Sequence, residues 1–514
     1  MRQEPVVVAV PLPPKETFRT KPKAPRAQTQ GAFSSCQKSC DGDPLKSLSS
    51  WKKSRAIVLI SCYELGHQPI ALASPTAFLH RAGYSPTVLD LAIETLDLNE
   101  ILDALFVGIS VPMHTALRLG VEAARRVREK NPSCHICFYG LYANLNDIYL
   151  LENVSDSVIG GEVEVPLAEL IDTLANGKDP SLVRGVSTRE RREEPYLEKF
   201  PLLLPHRNGL PPLKSYAHLY KDGEHLPVGT VEASRGCKHL CLHCPIPPVY
   251  KGRFYAVPRE IVLEDIRGLV SQGAKHITFA DPDFLNGPAH AMRIARALHD
   301  EHPSLTFDFT AKVEHLVNNK ELLPEFAGLG CIFIVSAVES LSDTVLANLA
   351  KGHTREEVLE ALLHCNMSHI SLRPSLLSFT PWTTADDYIE LIDLIDDNGL
   401  IDHVDPIQLA IRLLVPPGAD LLGTEAMQPH LGEYDPENFI HSWAHPDPRM
   451  DHLHREVLVI AEDAAAREED TALTFGRIRA AAVQTLERPG SARPALALDP
   501  DRPRPPRLTE SWFC

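Results

Sequence analysis

Between Arg55 and about Lys178, short continuous apolar runs alternate with stretches of helical period. The runs lie at 56–60, 86–90, 105–110, 135–140 and 157–160, and the helical stretches are clearest at 69–82, 115–130 and 165–175. Uninterrupted apolar strands alternating with helices predict a parallel sheet covered on both faces, a Rossmann-like α/β domain over 55–178. Alternation resumes at Gly229 and runs to about Leu422. It predicts strands at 229–233, 275–280, 305–311, 331–337, 369–375 and 404–414, with helices at 259–272, 289–301, 321–328, 343–349, 355–363 and 385–398. Residues 179–228 carry Pro201, Pro205, Pro211, Pro212 and a charged run at 189–194, and read as a linker. Residues 423–448 read as loop and 449–486 as a helical extension. The ends, 1–54 and 487–514, lack periodicity and read as unstructured tails.

Length and charge narrow the classes. The 514 residues suffice for two or three domains. A formal net charge of −17 disfavours a broad phosphate-binding surface, and with it nucleic acid as a partner. No apolar run has the length that spans a bilayer, and the N-terminus lacks a signal-peptide pattern. Eleven cysteines in a chain of this size do not make a disulfide scaffold, so a reducing, cytoplasmic setting fits.

Three of those cysteines stand close together just after the strand-like run at 229–233. The segment Ser234-Arg235-Gly236-Cys237-Lys238-His239-Leu240-Cys241-Leu242-His243-Cys244-Pro245 spaces them C-x3-C-x2-C. Thiolates this close hold an iron–sulfur cluster, and three of them leave one iron of a cubane without a protein ligand. Two other readings stay open: a structural zinc site completed by His239 or His243, as in a zinc-bearing scaffold or binding protein, and plain loop thiols. The spacing resembles the signature of the radical S-adenosylmethionine (SAM) enzymes. That resemblance implies a [4Fe-4S] cluster on Cys237, Cys241 and Cys244, with SAM on the open iron, reductively cleaved to a 5'-deoxyadenosyl radical. It also implies an electron donor of flavodoxin or ferredoxin type, and a substrate the sequence does not name. His243 stands where the superfamily usually has an aromatic residue.

The six β/α units from 229 to 422 resemble the partial (β/α)6 TIM barrel of that superfamily, whose chemistry sits at the carboxyl ends of the strands. On that resemblance Asp281 and Asp283, after the second strand, are candidate SAM or substrate contacts, or else turn and cap residues. Glu339 and Ser340, followed by Lys351-Gly352-His353, resemble elements of the cobalamin-linked branch and would face the SAM ribose or amino acid end. Arg373 and Ser375 would reach the SAM carboxylate. The N-terminal domain resembles the cobalamin-binding domain that precedes many radical SAM domains. Its Gly160-Gly161-Glu162 turn would let a corrinoid approach, and His67 is the nearest candidate cobalt ligand, although the D-x-H-x-x-G motif is absent. Cobalamin, and with it cobalamin-dependent radical methyl transfer, is the alternative this admits. Cys134 and Cys137 fall on or beside a strand and read as buried thiols.

The chain stops at Leu508-Thr509-Glu510-Ser511-Trp512-Phe513-Cys514. This ending, the domain order and the Cys-Pro-Ile-Pro-Pro-Val-Tyr-Lys-Gly-Arg block resemble the CUAEP/CCAEP-tail radical SAM proteins. The resemblance implies a selenocysteine or cysteine after Cys514, and hence a chain a few residues longer.

Overall fold

The computed structural model describes residues 48–491, 493, 499 and 501–510. Cys36, Cys40 and the ending Ser511–Cys514 lie outside them.

The N-terminal sheet contains β1 (Ile57–Ser61), β2 (Thr87–Asp90), β3 (Phe106–Ser110), β4 (His135–Tyr139), β5 (Ser157–Ile159) and β6 (Val186–Ser187), in the order β2-β1-β3-β4-β5-β6. β2 through β5 are parallel, and β6 closes the edge antiparallel. Every residue of β1 and β3 is buried. The period-2 alternation explains why. Val58, Ile60, Val107 and Ile109 enter one core, while Ile57, Leu59 and Phe106 enter the core on the opposite face.

The second sheet begins with a hairpin, β7 (His218–Lys221) and β8 (Glu224–Val231). A small antiparallel pair follows, β9 (Ser234–Gly236) with β10 (Phe254–Ala256), and it carries the cysteine loop between its strands. β11 (His276–Phe279), β12 (Thr306–Ala311), β13 (Cys331–Glu339) and β14 (Ser371–Leu376) then add in parallel to β8. The result is a half-barrel of five parallel strands, with helices outside. Capping boxes start two of them: Thr354 with Glu357, and Thr384 with Asp387.

The stretch at 404–414, expected as a sixth strand, contributes a single bridge, Phe379 with Arg412. Asp405-Pro406 begins a 3-10 turn through Ala410, and the turn leaves too little extended chain for a ladder. The segment read as loop holds a hairpin, β15 (Leu431–Asp435) and β16 (Ile440–Trp443). Phe439 at its tip enters the core of the N-terminal sheet. The helices Pro448–Ala466 and Thr471–Thr485 bury Met450, Leu453, Val457, Phe475 and Ile478 against the half-barrel.

The supposed linker supplies β6, β7 and the start of β8, strands so short or so polar that no periodicity marks them. The supposed free tail also docks. β17 (Arg507–Leu508) pairs antiparallel with β7, so the whole sheet runs β14-β13-β12-β11-β8-β7-β17.

Candidate functional site

The cysteine loop leaves the carboxyl end of β8. Gly236 makes its turn at φ +73°, where a Cβ would meet the Arg253 carbonyl oxygen at 2.5 Å. Cys237 and Cys241 are buried and Cys244 is half-buried, all as free thiols. The loop is pinned at several points. Lys238 N donates to Asn286 Oδ1 at 3.1 Å, Cys244 N to Cys241 O at 3.2 Å, and Leu242 N to Leu349 O at 3.0 Å. Burial raises the Cys237 thiol and pushes Cys244 up to about 12, and the neighbouring sulfurs add to both shifts. Such thiols stay protonated until a metal displaces their protons, and three cysteines on one short loop make a soft donor set.

A buried ion pair stands beside it. Lys351 Nζ donates to Glu339 Oε1 at 3.2 Å, and His243 Nε2 lies 3.4 Å from the same oxygen. Burial alone would raise the Glu339 carboxyl, but Lys351 and His243 outweigh it and hold it down to about 2. Lys351 also faces Cys241 and Cys244, and its charge favours thiolate at Cys244. Glu339 adopts φ +62° at a bulge in the β13–β14 ladder. Strain of this kind gathers at functional positions.

On the other flank, His239, between the first two cysteines, begins a polar chain. Lys312 Nζ lies 3.1 Å from His239 Nδ1, His239 Nε2 lies 3.2 Å from His315 Nε2, and His315 Nδ1 lies 2.8 Å from Asp283 Oδ2. The rings fit one sense of donation, from Lys312 toward Asp283.

Of the residues singled out in the sequence, Glu339 and Asp283 lie against the cysteine loop, through His243 at 3.4 Å and His239 at 3.7 Å. Asp281 and Asp283 serve the barrel's own turns. Asp281 accepts from Ala233 N at 2.8 Å and from Ser234 Oγ at 2.5 Å, while Asp283 caps Leu285 N and holds Lys312 N and His315. Their side chains are thus engaged as turn and cap groups. Ser340 Oγ accepts from Ser342 N at the start of the helix Asp343–Asn348. Arg373 and Ser375 border a separate cavity deeper in the half-barrel.

Gly160 and Gly161 back onto protein. A Cβ at Gly160 would strike the Asn144 side chain, and one at Gly161 the Tyr196 carbonyl. His67 is half-buried, faces Asp308 and His276 of the barrel sheet, and is lowered to about 4 by burial. Gly160 and Gly161 thus close on the chain's own Asn144 and Tyr196. Lys312, His315 and Asn286 escaped the sequence reading. The signal was available, because Lys312 directly follows β12 at the carboxyl edge where barrel chemistry collects.

Residues 231–395 match the family model described as the radical SAM superfamily. The anaerobic magnesium-protoporphyrin IX monomethyl ester cyclase of Synechocystis sp. is 24% identical over 68% of this chain and 70% of that protein. The hopanoid C-3 methylase of Methylococcus capsulatus is 24% identical over 61% and 62%. Among solved structures, the radical SAM methyltransferase TsrM from Kitasatospora setae superposes with a TM-score of 0.57 at 19% identity, covering 67% of this chain and 71% of that one. The cobalamin-dependent radical SAM enzyme OxsB superposes with a TM-score of 0.65 at 15% identity, covering 84% and 71%. The chain thus carries a radical SAM domain and is an enzyme whose cofactors are a [4Fe-4S] cluster and SAM. Among the described residues no helix is long and apolar enough to cross a membrane.

Proposed function

We propose, taking the radical SAM domain as premise, that Cys237, Cys241 and Cys244 hold three corners of the cluster and that SAM binds between them and Glu339. The observation that carries this is the placement of the cysteine loop beside the Lys351–Glu339 pair, with Lys351 facing Cys241 and Cys244, at the carboxyl ends of β8 and β13. The loaded cluster supplies one electron that splits the SAM sulfonium and yields the 5'-deoxyadenosyl radical. The chain's own residues do the rest. Lys351 offsets negative charge at the sulfurs, and its partner Glu339 offers a carboxylate that can accept from a hydroxyl or ammonium. The half-barrel orients the reactants and keeps water away.

Anaerobic reconstitution tests the reading. About four irons with labile sulfide per chain, and 5'-deoxyadenosine from SAM and dithionite, support it, whereas a single zinc supports the scaffold alternative. Single Cys→Ser changes at the three positions are expected to abolish both the iron chromophore and nucleoside release.

A second reading, methyl transfer through cobalamin, is favoured by the fold shared with proteins described as cobalamin-dependent. It requires a corrinoid spectrum in the purified protein. The proposal extends to a cytoplasmic setting and a flavodoxin- or ferredoxin-type donor.

A further inference from the structure

The open side of the half-barrel, between β14 and β7, is crossed by the chain's own residues 502–510. Arg502 is held by Asp402 at 2.6 and 2.7 Å and by Asp470 at 3.2 Å, and Arg504 by Asp470 at 2.6 Å. Leu508 then packs with Leu219, Val228 and Phe333. Thr509 N donates to His218 O at 2.8 Å, and His218 N donates back to Thr509 Oγ1 at 2.9 Å. Glu510 accepts from the Tyr63 hydroxyl at 2.6 Å and lies where a Cβ on Gly66 would come within 2.8 Å.

A cavity of about 40 Å³ remains between this strap and β14, bordered by Arg373, Ser375, His403, Asp405, Leu508 and Glu510. It has room for a few waters or a head group of similar size. Arg373 is 8% exposed, its Nη2 donates to Asp405 at 3.2 Å, and its Nη1 has no hydrogen-bond partner. A buried guanidinium N–H without an acceptor costs about 1–3 kcal/mol, and the guanidinium fork matches a carboxylate. The other Asp405 oxygen already faces Arg507 at 3.8 Å. Arg373 pairs in register with Val335, four residues before Glu339, and so stands ~13 Å below the cysteine-loop end of the strands.

We propose that this cavity anchors the substrate and takes a zwitterionic head group, with a carboxylate on Arg373 and an ammonium facing Glu510, and that the C-terminal strap is its outer wall. The assignment rests on the radical reading above, since a molecule held here by its head extends toward the barrel mouth. It moves Arg373 from the SAM carboxylate to the substrate.

The probes are glycine, acetate and methylammonium, the smallest carriers of both groups or of one, observed by saturation-transfer NMR on the full chain. Glycine is expected to bind the wild type and to weaken at least about ten-fold in both Arg373→Gln and Glu510→Gln, a loss of ~1.4 kcal/mol. Acetate is expected to be lost in Arg373→Gln and kept in Glu510→Gln. Arg373→Lys retains the charge and serves should the glutamine variant misfold. Equal glycine signals in wild type and variants, or none in any protein, overturn the proposal. Intact glycine binding with weakened SAM binding in Arg373→Gln assigns that residue to SAM and overturns it too. A reconstituted wild type that never cleaves SAM defeats the radical reading by itself, and the glycine comparison is read independently of it.

Discussion

Asp281 shows how the barrel mouth uses a carboxyl group that solvent does not reach. Burial lifts its pKa from an ordinary 3.8 to about 7, and the bonds from Ser234 and Ala233 recover only part of the shift. The folded state therefore keeps a proton that the unfolded chain sheds near pH 4. The stability this confers is complete below pH 4 and is lost as pH rises through 7. Asp281→Asn keeps an acceptor for Ala233 N and removes the titration. Denaturation between pH 4 and 8 is expected to show the wild type losing a few kcal/mol relative to the variant across that window. The Lys351–Glu339 pair behaves differently. Lys351→Met leaves a buried carboxylate without its cation and is expected to cost about 3–5 kcal/mol in urea unfolding, whereas adding Glu339→Gln to it restores much of that loss. Single residues were unevenly legible. The three cysteines announce themselves by spacing. Asn286, Lys312 and His315 lie some forty to eighty positions from them, and only the parallel register of β8, β11 and β12 brings them to the loop.

At the scale of elements, strands buried on both faces were readable because their apolar runs are continuous, as in β1 and β3. The expected sixth strand failed because Pro406 and the turn it begins outweigh the apolar residues that follow. The strap at 501–510 was unreadable for another reason: its order comes from arginines finding Asp402, Asp405 and Asp470, which no local pattern encodes. The paired glycines after β5 read as a close approach, and in the structure each lies close to the chain itself. Gly161, at φ +77°, lies against the backbone of Tyr196, which cannot swing aside. Gly160 lies against the side chain of Asn144, which can. Gly161→Ala is accordingly expected to destabilise by about 2–4 kcal/mol, and Gly160→Ala by clearly less, in chemical unfolding. Were the glycines there for a corrinoid alone, both variants would unfold like the wild type.

The whole molecule turns on how the two sheets are joined, and one arginine stands at the junction beside the cysteine loop. Arg235, in β9, donates from Nη1 to Glu162 at 2.9 Å and Glu164 at 2.7 Å, both beyond β5, and from Nη2 to Ser74 at 3.1 Å. Glu232 takes its Nε at 2.9 Å, and Tyr250 donates to Glu162 at 2.9 Å. Glu162 and Glu164 are buried; burial and the Glu164 charge raise Glu162 in spite of Arg235, whereas Arg235 and Ser74 outweigh burial and hold Glu164 below the ordinary carboxylate range. Arg235 is also two residues before Cys237, so the same side chain fixes where the cysteine loop leaves the junction. Arg235→Met is expected to do two separable things. Calorimetry should show the single transition split as the N-terminal sheet loosens from the half-barrel, a loss of about 3–5 kcal/mol in coupling, with protease cuts appearing between residues 188 and 212. Adding Glu162→Gln and Glu164→Gln removes the stranded charges and should restore cooperative unfolding, yet it leaves the loop without its tether, so iron retention after reconstitution should stay low. Recovery of both together would mean that the loop is positioned by Asn286 and Leu349 alone. Recovery of neither would mean that the junction depends on Arg235 for shape rather than charge.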